Sequence, residues 1–271
     1  MNAAAQRPPK NTTPAATAAS TATRTATRTA TRTATRTAIG SAFERLRADI
    51  LRGDLAPGEK LRIQDISRRY KSGAIPLREA LNRLTAEALV VHSEQRGFAV
   101  APISEAALED LTRTRIWLNQ IALRESLAHG DAAWEERLII AYHRMTKEPR
   151  YLDAARQRIN PAFDPAHRAF HLALISACGS AWLLQYCEQL FDHADRYRYL
   201  SRRIHVADRQ NEHAAMLKAA LKRDAEAAIK ALTQHMQKTS NIVLKAGSAA
   251  PDVAAVAARP RKASKKAAKS R

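Results

Sequence analysis

The ten residues Ile75-Pro-Leu-Arg-Glu-Ala-Leu-Asn-Arg-Leu84 constrain the fold of this chain more than any others. On a helix, Leu77, Leu81 and Leu84 share one face and Arg78 points the other way, because positions three and four apart fall on the same side. Just upstream, Ile63 to Tyr70 (IQDISRRY) is a second short amphipathic helix, with Ile63 and Ile66 as its apolar positions. Lys71-Ser72-Gly73-Ala74 joins the two, and Gly73 is expected to supply the sharp reversal. Two such helices across a small-residue turn form a helix-turn-helix, whose second helix can enter the major groove of DNA.

The flanks extend that unit. Ala42 to Arg52 repeats Phe43, Leu46, Ile50 and Leu51 at helical spacing, Gly53 ends it, and Leu55-Ala-Pro-Gly58 is a turn. Downstream, Leu89–Val91 and Phe98–Val100 are β-prone runs on either side of His92-Ser-Glu-Gln-Arg-Gly97, which predicts a hairpin with a permissive Gly97. Helix, helix-turn-helix and hairpin make a winged helix, and Arg96 at the hairpin tip can reach a phosphate or the minor groove.

This block resembles the N-terminal domain of the GntR family of bacterial transcription regulators. The matching residues are Ile50-Leu-Arg-Gly53, Leu55-Ala-Pro-Gly58, Pro76-Leu-Arg-Glu-Ala-Leu81, Arg83-Leu84, Leu89-Val90 and Arg96-Gly97. The resemblance implies a DNA-contacting set of Ser72, Gly73, Ala74, Arg78, Asn82, Arg83, Arg96 and Gly97. Arg78 stands near the start of the reading helix, where arginine can pair bidentately with guanine. The chain departs from the family just ahead of the proline: the usual Ser/Thr-Arg-Thr is Gly73-Ala74-Ile75, and Gln64 stands where some members carry an arginine contact. For Arg68, Arg69 and Arg83, a solvated surface charge is the competing reading.

The chain of 271 residues carries a net charge of +19, unevenly spread. Residues 1–38 hold six basic residues and no acid, four of them in a Thr-Ala-Thr-Arg repeat through Arg24, Arg28, Arg32 and Arg36. Residues 246–271 hold seven basic residues against Asp252. Both stretches lack the large apolar residues that a core needs, so disordered basic tails are expected, either adding salt-sensitive affinity for DNA or merely solubilising. The N-terminal stretch has the Arg- and Thr-rich composition of a transit peptide but no bulky apolar stripe. No apolar run approaches a membrane span of about 20 residues. Cys178 and Cys187 match no metal or redox spacing and read as small core residues of a reducing, cytoplasmic compartment.

From Ser104 onward the pattern is helical. Helices are expected near 104–128, 131–147, 161–178, 180–203, 207–222 and 224–244, broken at Gly130, Asn160-Pro161, Gly179 and Lys222-Arg-Asp224. Short connections between them predict an all-α bundle. Ser104-Glu105 and Asp224-Ala225-Glu226 look like helix starts with acids in the first turn. His167 and His171 are four apart and so point the same way on a helix, while His213 and His235 fall on two later helices. An antiparallel helix pair can gather all four imidazoles around a metal, although on spacing alone surface or hydrogen-bonded histidines fit equally.

Residues 104–243 resemble the FCD effector domain of the FadR-type branch of the same family, on Asp110 with Arg115, Phe170-His171, Glu212-His213 and His235. Members of this type often hold a divalent metal through an aspartate and three histidines. His171, His213 and His235 match the histidines, and His167 takes the aspartate position. Four imidazoles favour a divalent transition metal, zinc first, with nickel and iron as alternatives. The resemblance also implies a small carboxylate effector near the metal, bound by Arg115, with Asn119 in place of the usual glutamate and Arg198 among the lining residues. Arg196 and Tyr199 are further lining candidates. RTRIWLNQIALRESLAHGDAAWE most resembles the carbon-starvation repressor (CsiR-like) branch, which implies a short organic acid or dicarboxylate.

The expected fold is mainly α. It has a disordered tail at 1–38, a winged helix-turn-helix at 39–103, an all-α effector and dimerisation domain at 104–245, and a second tail at 246–271. The expected function is a homodimeric, ligand-responsive repressor on a palindromic operator in double-stranded DNA, cytoplasmic and nucleoid-associated, and not an enzyme. Two rivals are an architectural DNA-binding protein driven by the basic tails and a metal-dependent hydrolase, the latter lacking an obvious general base or nucleophile elbow.

Overall fold

Leu77, Leu81 and Leu84 are completely removed from water, with Ala80 beside them, and this stripe organises the N-terminal half. Full burial of each leucine contributes about 1.5–3 kcal/mol. The structure, a computed structural model, describes residues 39–153, 158, 160–200 and 210–249. The tail expected at 1–38, and most of that at 246–271, lie outside the described residues. So do the helix ends expected at 201–203 and 207–209.

Helix α1 (39–52) packs Phe43, Leu46 and Ile50 onto that stripe, joined by Ile66 and Tyr70 of α2 (Ile63–Tyr70) and by Leu55, Leu61, Leu89, Val90 and Val100. Helix α3 (Ala74–Ala86) starts one residue earlier and ends two later than its leucine stripe suggests. The turn between α2 and α3 works differently from expectation. Its left-handed residue is Lys71 (φ 51°), whereas Gly73 sits at φ −68° as the N-cap of α3. Any L residue tolerates the Gly73 backbone, and a Cβ there would meet only Pro76 Cδ at 3.7 Å, an ordinary contact, so the turn does not require glycine.

Strands β1 (Val90–Ser93) and β2 (Gly97–Val100) form the antiparallel wing, in register from Val90 opposite Val100 to Ser93 opposite Gly97. Gly97 at φ 71° makes the tight return that the sequence predicts. Residues 58–61 run along the other edge of β2: the Leu61 N–H donates to the Phe98 carbonyl at 2.8 Å, and the Val100 N–H to the Glu59 carbonyl at 2.9 Å.

The C-terminal half is a helical bundle: α4 (Glu105–His129), α5 (Ala132–Lys147), α6 (Phe163–Ile175), α7 (Ala181–Leu200), α8 (Gln210–Leu221) and α9 (Ala225–Ala249). Side-chain caps begin four of them, α7 through the Ser180 hydroxyl, which accepts from Leu183 N–H at 3.2 Å. The Ser104 hydroxyl accepts from Ala107 N–H, the Asp131 carboxylate from Trp134 N–H and the Asp224 carboxylate from Ala227 N–H. Two boundaries differ from expectation. Cys178 lies in the turn after α6 rather than on the helix, and α9 continues through Ala249, into the stretch whose composition reads as tail. Both cysteines are buried and free. Among the described residues, no helix is long and apolar enough to cross a membrane.

Helix α4 packs against α7 and α9, and α5 against α6. At one end of the bundle, Trp134 is fully buried and its indole N–H donates to the Ala173 carbonyl at 2.9 Å. Arg223 lies over its ring at 4.7 Å and donates to the carbonyls of Leu127 and Gly130 at 3.0 and 2.8 Å. This staple ties the α4–α5 corner to the α8–α9 turn.

Helix α7 also joins the bundle to the winged helix. Asp192 accepts from Arg47 of α1 and from Arg168 of α6, while Arg47 donates its Nε to Glu87 at 2.8 Å. The His193 Nε2–H donates to the Glu87 carbonyl at 2.8 Å, and Arg196 donates to the Ala101 carbonyl. Arg196, expected among the effector-lining residues, is therefore part of this joint.

The α4–α5 corner leaves no room for a side chain at Gly130. A Cβ there would lie 2.5 Å from Trp134 Cε3 and 2.7 Å from the Ser126 carbonyl oxygen. Gly130→Ala should destabilise the protein by about 1–3 kcal/mol through overpacking, measured by denaturant unfolding. An unchanged midpoint would mean that the corner relaxes freely.

Candidate DNA-reading surface and metal centre

With Leu77, Ala80, Leu81 and Leu84 turned inward, helix α3 presents Ala74, Ile75, Arg78, Glu79 and Asn82 to solvent. Gly73 is also exposed, and Ser72 is half-buried in the turn. Arg83 is exposed as well. Its guanidinium stacks on the Phe43 ring at 3.9 Å, held against α1 by a cation–π contact. Arg68 and Arg69 are likewise paired within the protein, with Asp65 and Asp49.

Arg96 and Gly97 stand exposed at the wing tip. Between wing and reading helix lies an open cleft of about 630 Å³, lined by Lys60, Arg62, Arg78, His92, Arg96 and Phe98 among others, with no acid on its walls. His92 stacks on Phe98 with ring centroids 4.3 Å apart, which fixes one wall. Lys60 and Arg62 join this surface unannounced by the sequence, because only the pairing of 58–61 with β2 carries them there. A cleft of this size and charge suits a phosphate backbone passing between wing and reading helix.

The second site lies inside the bundle. His167 and His171 on α6, His213 on α8 and His235 on α9 are all buried, and their candidate ligand nitrogens lie within 4.8 Å of one another. The Nε2 atoms of His167 and His171 are 3.1 Å apart. Nitrogens bound to one zinc at about 2.0–2.1 Å stand roughly 3.0–3.4 Å from each other, so that pair already has ligand spacing and the other two need only draw in. Burial, reinforced by the neighbouring imidazoles and by Arg198, holds His167 well below the usual histidine range. His171 is lowered in the same way, first by burial and then by His235 and His213. Neutral imidazoles are the form a transition metal takes.

The His235 ring is oriented from outside the cluster. Its Nδ1 meets the Glu212 carboxylate at 2.9 Å, and Lys238 holds the other carboxylate oxygen at 3.0 Å. This contact puts the proton on Nδ1 and leaves Nε2 as a ligand. His167 is set differently, with its Nδ1 facing Arg198 Nη1 at 3.5 Å. Arginine can only donate, so that contact favours the tautomer with the proton on Nε2. His167 fits a metal only by giving up Arg198, which also pairs with Asp164 at 3.0 Å and with Asp195.

Beside the histidines, Arg115 is half-buried, with its Nε wholly enclosed. Burial pulls its guanidinium down to about 10, opposed by the nearby Asp195, and it therefore stays charged at neutral pH. It lies over the Phe191 ring at 5.4 Å, and its Nε has no hydrogen-bond partner among the described residues. Asn119, one turn along α4, is buried and donates its side-chain amide to the Arg115 carbonyl at 2.9 Å, so its NH₂ serves the helix. Asp110, in contrast, pairs with Arg113 on the surface. Sequence reasoning missed Asp164, Asp195 and Phe191. The first two carried a readable signal, since each stands three residues before a residue of this site, His167 and Arg198.

A winged helix carrying a basic reading face, followed by a helical bundle around a buried four-histidine cluster, fits the class of effector-controlled transcription regulators. The comparisons agree: residues 39–100 match the gntR family of bacterial regulatory proteins, and residues 110–238 match the FCD domain. The HTH-type transcriptional regulator BphR of Paraburkholderia xenovorans is 40% identical over 216 residues, 77% of this chain and 86% of that protein. The HTH-type transcriptional repressor GlaR of Escherichia coli is 37% identical over 199 residues, 70% of this chain and 89% of the repressor. The E. coli McbR/YncC structure shares the fold at 20% identity and a TM-score of 0.63, covering 77% of this chain and 97% of its own. The chain belongs to the GntR family, as a transcription regulator with a DNA-binding helix-turn-helix and an FCD effector domain. Neither the architectural nor the hydrolytic alternative gains support.

The orienting role of Glu212 can be measured. Glu212→Gln should weaken zinc binding by about 10–100-fold, as loss of a carboxylate behind a ligand histidine does, read by competition with a chromogenic chelator. Unchanged affinity would detach Glu212 from the donor set.

Proposed function

We propose that this protein is a dimeric repressor that holds a palindromic operator with two winged helices and answers to a small organic acid bound at a metal, zinc first, inside the FCD bundle. The observation that carries the proposal is Arg115, a half-buried cation whose enclosed Nε lacks a partner among the described residues, next to four clustered histidines. An enclosed Nε–H left without an acceptor is costly, and a carboxylate satisfies it together with the rest of the fork of donors. Its neighbour Arg198, with Arg150 beyond it, adds positive charge against Asp164 and Asp195, and a divalent ion would tip the balance further toward an anion.

His171, His213 and His235 would hold the metal, with His167 as the fourth ligand once its proton has moved to Nδ1. The ion would supply a Lewis-acid position for a carboxylate oxygen. Helix α7 supports a route for the response. Phe191, Asp195 and Arg198 face the histidine site, while Asp192, His193 and Arg196 grip α1, α3 and the segment after the wing. An effector that moves α7 would reorient the reading helix. Support for a dimer comes from α4, where Trp117 and Ile121, one turn apart, remain 57% and 53% exposed as a face for a second copy. The repressor reading follows the likeness to GlaR.

The test is elemental analysis of purified protein, then thermal-shift screening against C2–C6 mono- and dicarboxylates with and without chelator. The expected result is about one transition-metal ion per chain. At least one acid should stabilise the wild type by a mass-action shift, and that shift should vanish on chelation and in Arg115→Met. Stabilisation that persists in both would place the acid elsewhere.

A further inference from the structure

Ile75 is the most exposed large apolar side chain among the described residues, 76% accessible, and it sits on the helix that reads DNA. Its position on α3 is specific. At ~100° per residue, Ile75 and Asn82 point within about 20° of each other, and Arg78 lies about 60° to one side. The buried stripe of Leu77, Ala80, Leu81 and Leu84 lies on the opposite side of the helix, so Ile75 points straight away from the core. It is also the second residue of α3, in the first turn, where a recognition helix meets base edges.

Nothing inside the protein needs Ile75, and an isoleucine held in water loses the stabilisation that burial would give. On the helix Glu79 lies about 40° to one side of it and Arg78 about 60° to the other, and Arg78 also walls the acid-free, polyanion-binding cleft that Lys60, Arg62 and Arg96 line. In the major groove the one apolar feature on a base edge is the C5 methyl of thymine. We infer that Ile75 packs against the C5 methyl of a thymine in each half-site, next to the base pair read by Arg78. This rests on the DNA-reading role of α3 and adds a specificity element to it. The start of α3, Gly73-Ala74-Ile75, which has no side-chain donor of its own, thereby selects sequence by apolar contact rather than by hydrogen bonding.

The test uses the full chain. Duplexes are enriched from a random pool by binding, and each thymine of the enriched half-site is then replaced singly by uracil, which removes only the methyl. Affinity is measured by fluorescence anisotropy for the wild type, Ile75→Ala, Ile75→Val and Arg78→Ala. At one thymine per half-site, uracil should weaken the wild type by about fourfold, the equivalent of one buried methylene. Ile75→Val should keep that sensitivity and Ile75→Ala should lose it. Replacing the guanine read by Arg78 with 7-deazaguanine should still weaken Ile75→Ala but not Arg78→Ala, which shows that the isoleucine variant remains folded and docked. Uracil sensitivity identical in the wild type and Ile75→Ala, or absent from both while 7-deazaguanine still discriminates, overturns the inference. Failure to enrich any sequence, with Arg78→Ala binding like the wild type, would instead overturn the DNA-reading assignment beneath it.

Discussion

The carboxylate of Asp192 sits between two guanidinia that come from different halves of the molecule, Arg47 of the winged helix and Arg168 of the bundle. Its side chain is only 12% accessible, so removing either partner would leave charge poorly solvated. That constraint makes the joint directional. Arg47 is also committed to Glu87 at the end of the reading helix, whose carbonyl accepts from His193 on the same helix as Asp192. The orientation of α3 relative to the bundle is therefore set by a closed polar loop through α1, α3 and α7, and not by a broad apolar interface.

The sensing site draws on the same helix from its other side. Arg198 answers to Asp195, Asp164 and His167, and Phe191 lies under Arg115. A charge arriving beside Arg115, or a metal claiming His167, would alter which partners Arg198 keeps. The joint lies within the next turn or two of α7. Coupling of this kind needs only two arrangements of one rigid element that both sites bias.

Much of this was legible in the sequence, for physical reasons. The leucine stripe of α3 and the His167/His171 pair follow from helical periodicity, which is local. Glycine at the wing tip follows from backbone sterics, and the Ser104 and Asp224 caps from orphan N–H groups. What could not be read were contacts between residues far apart in the chain. Arg47 with Asp192, Arg83 stacked on Phe43, and Arg196 on the Ala101 carbonyl leave no periodic trace. Arg196 thus read as an effector-lining residue although the structure places it in the joint, while Arg83, still exposed, leans on the Phe43 ring. Lys71 in the left-handed region was hidden too, because Gly73 nearby offered the conventional explanation.

The central claim, that α7 transmits effector occupancy to the reading helix, is tested most directly by measuring operator affinity with and without a stabilising carboxylic acid in the wild type and in Arg47→Gln. This substitution opens the joint on its half-exposed side and leaves Asp192 paired with Arg168. The account predicts that the acid shifts wild-type affinity by a factor in the range of about 5–150. In Arg47→Gln the shift should collapse toward unity while acid and operator each still bind. An equal shift in both proteins would contradict transmission through this joint.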